Sequence, residues 1–399
     1  MPTALLDPDI QAFIARHVRD DVAALALSKM PDGWPRADIL NQIKARQKAR
    51  IKIPSWADIE LRPDIVFPAP DLIEQASSQA TAAYKASLFE GSSFVDLTGG
   101  VGVDCAAIAR KFDSITCVEK HPDAATLLRH NLPILIQKGV QVIEADAGAY
   151  ISDMNAPVDL VYIDPQRRSD RGKGLKYFED CSPDILEILP TLLEKTRNIL
   201  IKTSPMLDIS QALAQLPNTR TVYVVEWRRE CREVLYHLTA DTNVKPQIKA
   251  VHIDDEGEII HDISFTRTDE KNAHVQYGLP KTYLYEGGAG FIKAGCYKLL
   301  AERYGLTKLH PHTHLYTSAR LVKDFPGRVF EIAGLYPVRK KGLPFEQVNL
   351  AVRNFPDDVK TLYKRLGLKA GGADMGFACT LCDESKVLIH ARFLREADS

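Results

Sequence analysis

The stretch Val95 to Asp104 reads VDLTGGVGVD, and it constrains the fold more than any other part of the chain. Apolar residues on either side of Asp96 run straight into a turn holding Gly99, Gly100 and Gly102. The helix-compatible run CAAIARKF follows. Glycine lets the backbone turn in a left-handed sense or approach a neighbour closely. A helix that starts at such a turn points its first N–H groups at whatever lies above it. A strand, a glycine turn and a helix in that order predict an α/β sheet with a nucleotide-like cofactor at the strand end.

The pattern around this stretch agrees. Between about residues 91 and 240, short apolar runs (SFVDL, SITCVE, VQVIEA, VDLVYID and NILIKT) alternate with helical stretches, which predicts a mostly parallel sheet covered on both faces. The next two runs, TVYVVEW and EVLYHLT, are joined by RRECR. That leaves no room for a crossover, so they should pair antiparallel. Residues 1 to about 90 read as helical, interrupted at Pro35, Pro54, Pro63, Pro68 and Pro70. The basic run QIKARQKARIK, Gln42 to Lys52, reads as a solvated helix face, with a phosphate- or partner-contacting face as the alternative. Beyond residue 240 come HIDDEGEIIHDISF, a glycine turn with an amphipathic helix, and further short strands, which suggest one or two small α+β units.

With 51 basic and 52 acidic residues in 399, the chain has no basic surface over its whole extent, though local patches are allowed. No apolar run is long enough for a membrane span. The opening residues, MPTALLDPDIQAFIARHVRDD, do not read as a signal peptide. Seven irregularly spaced cysteines fit a reduced, cytoplasmic protein. The pair Cys379 and Cys382 is at best half a zinc site. His310, His312 and His314 would share one face of a strand, but Pro311 and the lack of a nearby acid favour structural or substrate-contacting roles, so no metal is expected.

The spacing separates the cofactors. GGxG, with Asp96 three residues ahead of its first glycine, departs from the GxGxxG of pyrophosphate binders. No Gly-Lys-Ser/Thr closes a P-loop. Glu119 ends the second strand, where a carboxylate can accept two ribose hydroxyls. Asp146 follows the third strand, with its carboxylate or its neighbour's backbone placed for an adenine amino group. Asp164 and Pro165 end the fourth strand and are followed by Gln166, Arg167 and Arg168.

On these residues the chain resembles class I S-adenosylmethionine-dependent methyltransferases. DLTGGVGVD matches their first motif, and IDPQRR occupies the place of the fourth. More narrowly it resembles the bacterial THUMP-like methyltransferases with a DPxRR motif, and LHPHTHLYTS, FPGRVFEI and VNLAVRNFP extend that resemblance through the C-terminal half. The resemblance implies a Rossmann-like seven-stranded sheet behind an N-terminal helical region. It divides the chain into a helical region 1–90, a catalytic domain 91–240, a ferredoxin-like domain 241–325 and a THUMP-like domain 326–399. It implies S-adenosylmethionine held by Asp96, Thr98, Gly99, Gly100, Gly102, Asp104, Glu119, Lys120, Asp146, Ala147 and Asp164. Chemistry would fall to Asp164, Pro165, Arg167 and Arg168. RNA is the expected partner, with a small anionic molecule or a protein as the alternative acceptor.

The sequence departs from the family of base-amine methyltransferases at one point. Gln166 and Arg167 stand where a second proline and a stacking aromatic belong, so Tyr177 or Phe178 would have to supply that surface or else pack the loop. The arginines would clamp an anionic acceptor or pair with Glu179 or Asp180, and Asp170, Arg171, Lys173 and Lys176 extend the charged loop. Cys181 has no evident base. Lys202 to Pro205 would line the far side of the pocket. Arg339, Lys340, Lys341, Arg353, Lys364, Arg365 and Lys369 could form a basic surface on the C-terminal module.

Overall fold

The computed structural model describes residues 3–60, 62–155, 157–167, 178, 181–241 and 245–394. Cα packing divides the chain into two compact units: 1–223 with 232–246 and 253–260, and 224–231 with 247–252 and 261–399. No helix among the described residues is long and apolar enough to cross a membrane.

The first eleven strands are β1 (Gly91–Asp96), β2 (Phe112–Glu119), β3 (Gln141–Glu144), β4 (Val158–Ile163), β5 (Gln166–Arg167), β6 (Cys181–Ser182), β7 (Thr196–Thr203), β8 (Thr219–Trp227), β9 (Glu230–Leu238), β10 (Gln247–Ile253) and β11 (Ile259–Phe265). Nine of them form one sheet in the order β11-β10-β8-β9-β7-β4-β1-β2-β3. β3, β2, β1, β4 and β7 run parallel, and β7 meets β9 antiparallel. The sheet has two strands more than expected, because HIDDEGEIIHDISF supplies β10 and β11 to it rather than to a separate small domain. Val161, Ile163, Ile199, Leu200 and Ile201 are wholly buried, as residues of a parallel sheet covered on both faces must be. The β8–β9 hairpin turns on Arg228 and Arg229, both at positive φ, which matches the twist of the flanking strands.

The N-terminal region is helical as expected, with helices Pro8–His17, Val22–Leu27 and Arg36–Lys52. They close around Ile10, Ile14, Leu25, Ile39, Ile43 and Val66. The basic run does not form a fully solvated face. Arg46 is buried, and its guanidinium donates to the carbonyls of Arg62, Pro63 and Ile65. Burial pulls its pKa down to about 10 against the pull of Asp64. A basic helix can therefore spend one arginine on organising an irregular segment that lacks its own backbone partners. Two helices, Pro70–Gln75 and Gln79–Ser87, precede β1. The second starts where the Ser78 side chain accepts from the Thr81 amide.

The second unit holds β12 (Tyr283–Gly287), β13 (Thr307–Lys308), β14 (Leu315–Ser318), β15 (Gly327–Pro337), β16 (Asn349–Arg353), β17 (Met375–Thr380) and β18 (Lys386–Phe393), in the order β13-β14-β12-β15-β18-β17-β16. β15 is the hub, antiparallel to both β12 and β18. Helix Val359–Leu366 is capped by Asp358 and stopped by left-handed Gly367, and it buries Leu362 and Leu366 with Val348, Ala378 and Leu388.

Candidate functional site

The strand order reverses between β1 and β4, and open α/β sheets bind ligands at the carboxyl ends beside such a reversal. Asp96 ends β1 and is 1% exposed. Its Oδ1 accepts from the Thr98 amide at 2.9 Å and faces the Thr98 hydroxyl at 3.4 Å. That hydroxyl accepts from the Asp164 amide at 2.7 Å, so Thr98 ties the turn after β1 to the end of β4. Burial pushes the Asp96 carboxyl up to about 8, although the Thr98 amide works against the rise.

The glycines serve the shape of the turn. A Cβ on Gly99 would stand 2.7 Å from both Cys117 Sγ and Leu128 Cδ1. Gly102 sits at φ 91°, where a Cβ would also meet Leu128 at 2.7 Å. The turn therefore lies flat against helix Pro122–Ile136 and can tolerate no side chain at either place. The Gly100 amide donates to Glu119 Oε2 at 2.8 Å, and the His121 amide donates to Oε1 at 2.8 Å. Glu119 is thus held buried at the end of β2 by two backbone donors, with lone pairs left on both oxygens.

Glu119 lines a pocket with Leu97, Thr98, Lys120, His121, Ala145, Asp146, Ala147, Gln166, Ser182 and Pro183. Five residues expected from the sequence meet there: Thr98, Glu119, Lys120, Asp146 and Ala147. His121, Gln166, Ser182 and Pro183 were not foreseen as lining, and only the strand-end position of Gln166 hinted at it. Lys120 reaches across to Ser182 Oγ at 2.9 Å. The Asp146 carboxylate caps helix Ala147–Asp153 through the Gly148 amide at 2.9 Å. A pocket with one buried carboxylate between backbone amides, an apolar wall and a second acid at its far side has the donor set for a ribose and an adenine. Asp96, the three glycines, Asp164 and Pro165 are not part of its lining.

Asp104 departs from the expectation that it holds cofactor. It points under the sheet, where Oδ2 accepts from Tyr162 Oη at 2.6 Å and Ser77 Oγ at 2.7 Å. Lys85 Nζ lies 3.2 Å and Lys202 Nζ 3.6 Å from its oxygens. Burial opposes its charge, but Lys85, Lys202 and these hydroxyls outweigh it and hold the carboxyl well below the usual range. Lys85 is itself wholly buried and grips Glu233 at 2.6 and 2.7 Å. Lys202 pairs with Asp164 Oδ2 at 2.6 Å. The result is a chain of alternating charge, Glu233–Lys85–Asp104–Lys202–Asp164, that surfaces at Asp164.

The backbone of Arg167 pairs with Cys181 in the β5–β6 ladder. Arg168, Asp170, Arg171, Lys173, Lys176, Tyr177, Glu179 and Asp180 lie outside the described residues. Phe178 does not offer an open stacking surface. It is buried edge-on against Tyr236, with ring centroids 5.9 Å apart.

In the second unit the three histidines do not share a strand face, because residues 309–314 form the loop between β13 and β14. His310 Nδ1 accepts from the His312 amide at 3.0 Å and faces Asn354 Nδ2 at 3.1 Å, and its Nε2 faces Glu384 at 3.3 Å. His314 stacks on Tyr297 with centroids 3.7 Å apart, and burial brings it down to about 4. Lys308 Nζ donates to the carbonyls of His310 and Pro311. These are loop-building contacts. Cys379 is buried in a hydrophobic cluster. Among the described residues, the group close enough to share an ion is instead Asp96, Cys105 and Cys117, all buried under the glycine turn. Its hydrogen bond with Cys105, and then burial, raise the Cys117 thiol well above its ordinary range, which opposes formation of the thiolate a metal would need.

Comparison with known proteins adds three family matches. A family described as conserved hypothetical protein 95 matches residues 62–214, a ferredoxin-like domain matches 283–326, and a THUMP domain-like module matches 327–392. The crystal structure of a candidate methyltransferase from Porphyromonas gingivalis W83 aligns over 97% of this chain and 98% of its own, at 30% identity and a TM-score of 0.82. Ribosomal RNA small subunit methyltransferase J from Acinetobacter baumannii is 30% identical over 118 residues, 27% of this chain and 42% of that protein. A protein from Sulfolobus acidocaldarius named for cobalt-precorrin-6B C(15)-methylation is 29% identical over 119 residues, 29% of this chain and 54% of that protein. The chain spans about half the length of these curated relatives.

Proposed function

Because the chain belongs to a family of S-adenosylmethionine-dependent methyltransferases carrying a THUMP-like domain, we propose that it methylates a base nitrogen of RNA. The observation that carries this reading is the placement of Asp164, tied by Thr98 to the turn after β1 and next to the Glu119 pocket at the switch point of the sheet. In this reading residues 1–90 form a helical domain and 91–240 the catalytic domain; of the expected ferredoxin-like domain 241–325, strands β10 and β11 belong to the catalytic sheet, so the ferredoxin-like part is 283–326, followed by the THUMP-like part 327–392 within the expected 326–399.

Glu119 would accept the ribose hydroxyls, and the turn from Thr98 to Gly102 would shape the near wall. Asp146 and Ala147 would flank the adenine. When bound, S-adenosylmethionine supplies a methyl group already activated on a sulfonium, so alignment is the larger part of the protein's task. Asp164 would accept an N–H of the acceptor base and orient the nitrogen lone pair. Pro165 fixes the backbone there and removes a competing donor. As nitrogen gains the methyl group it gives up a proton, which Asp164 or water receives. Arg167 and Arg168 would hold a neighbouring phosphate.

RNA as acceptor is supported by the THUMP-like match and by the relative named for ribosomal RNA methylation. The relative named for cobalt-precorrin methylation supports a second reading, a small anionic acceptor. Labelled cofactor presented with cell RNA, protein and metabolite fractions separates the two. Label should enter RNA, and Asp164→Ala should lower it at least about a hundredfold, the scale of one lost transition-state contact. Affinity for S-adenosylhomocysteine should stay within about threefold. Label in the metabolite fraction alone overturns the RNA reading.

A further inference from the structure

Lys202, expected to line the far side of the pocket, is not among its lining residues and pairs with Asp164 instead. In the parallel β4–β7 register Ile163 faces Ile201, so the next residues, Asp164 and Lys202, stand side by side at the strand ends. The Lys202 ammonium reaches Asp164 Oδ2 at 2.6 Å and Ser77 Oγ at 3.1 Å, and Asp104 Oδ2 lies 3.6 Å away, within ion-pair range. Its side chain is 13% exposed against 39% for Asp164. The cation is therefore set deeper than the carboxylate it pairs with. Asp164 Oδ1 has no partner among the described residues.

This arrangement bears on the kind of nitrogen that can be methylated. A carboxylate without a cation attracts ammonium groups, and a protonated amine has no lone pair with which to attack. An uncharged base amine needs an acceptor for its N–H but no net negative charge. A carboxylate paired with a fixed ammonium supplies that combination.

We infer that Lys202 is a specificity-determining residue, which cancels the charge of Asp164 so that the site takes an uncharged N–H acceptor of the nucleobase class and discriminates against protonated aliphatic amines. This rests on the reading that the transferable end of the cofactor lies towards Asp164.

The test needs no identified acceptor. Sinefungin carries a protonated amine where S-adenosylmethionine carries its sulfonium methyl, and S-adenosylhomocysteine carries neither. Calorimetry on the full chain measures how much more tightly sinefungin binds than S-adenosylhomocysteine. In Lys202→Met and Lys202→Gln that ratio should rise more than about threefold, the effect expected when a nearby like charge is removed from a partly buried site. Lys202→Arg should stay within about twofold of the wild type. Asp164→Asn combined with Lys202→Gln should return the ratio to that of Asp164→Asn alone. The glutamine variant, whose amide can still bond Ser77, carries the test if the methionine variant does not fold. A rise of threefold or less in the variant that folds overturns the inference, as does a rise that persists without Asp164. Wild-type protein binding neither compound overturns both this inference and the cofactor reading. A shifted ratio with no transfer to RNA removes RNA as the acceptor and leaves the role of Lys202 standing.

Discussion

Asp164 in the first unit and Glu286 in the second both meet cations, but the two are turned inside out relative to each other. Asp164 is the more exposed member and its cation is set deeper, backed by Asp104, Lys85 and Glu233. Glu286 is the buried member, and its cations are Arg328 and Arg353, with side chains 36% and 38% exposed. Each arginine engages it through both Nε and a terminal nitrogen, with the Nε contacts at 2.8 and 2.9 Å. An ammonium is a compact charge that can be shared among three acceptors, which suits a packed interior. A guanidinium is a flat fork that grips one carboxylate and still presents outward N–H groups. The first site offers a ligand an acceptor oxygen, whereas the second offers donors.

The sharpest way to break this comparison is to remove the deepest member of the first network. Glu233→Leu leaves the Lys85 ammonium buried beside Asp104 alone, and should cost about 3–5 kcal/mol of unfolding free energy in urea titration. Lys85→Met with Glu233→Leu should recover much of that, since two apolar side chains need no pairing. A loss below about 1 kcal/mol in the single variant would mean that the network is not a buried one.

A pH titration of stability asks whether the units also differ in their histidines. His237, in the first unit, is brought down to about 4 by burial and by Arg220, and it bonds Asn198. The unfolded chain binds a proton near pH 6.5 and the folded one only near 4. Stability is therefore full above about pH 6.5 and falls as pH drops towards 4, by about 3 kcal/mol for this group. His314 is depressed to about 4 as well, so both units should weaken over the same window. His237→Asn should flatten the dependence in the first unit and leave the second unchanged, as followed by hydrogen exchange.

Smaller effects belong to the outward-facing site. Glu286→Gln should destabilise the second unit by about 1–2 kcal/mol, because the arginines it releases are partly solvated already. Arg328→Lys should cost less than about 1 kcal/mol, and mainly through the lost fork. If that substitution matched Glu233→Leu in cost, the contrast between the two sites would fail.

Much of the sheet was legible because its cause is local. Short apolar runs separated by helical periods fold as parallel strands whatever their partners, and strand ends mark where Asp96, Glu119 and Asp164 must emerge. The pocket residues Glu119 and Asp146 could be placed by the same reasoning, while Thr98, Lys120 and Ala147 came from the resemblance to the methyltransferases. The charge network could not. Lys85 and Glu233 are 148 residues apart, and nothing around Lys85 in TAAYKAS marks it as buried. Asp104 misled because a helix-start acid beside a glycine turn reads equally well as a ligand contact or as an inward anchor, and only Tyr162 and Ser77 decide between them. Arg46 misled for the same reason, since its carbonyl partners lie in an irregular segment with no periodicity to read. HIDDEGEIIHDISF was recognisable as two strands, but which sheet it joins is a long-range choice.

β15 adds a constraint on how this protein can be taken apart. The ferredoxin-like match ends at residue 326 and the THUMP-like match begins at 327, yet β12 lies on one side of that line and its neighbour β15 on the other. A boundary between families here runs through hydrogen bonds. Cutting the chain at that point would strip a neighbour from β12 and leave β15 with one bare edge, a template for aggregation. The stretch from 283 to 392 should therefore be inherited, expressed and engineered as a single piece, whatever names its two halves carry.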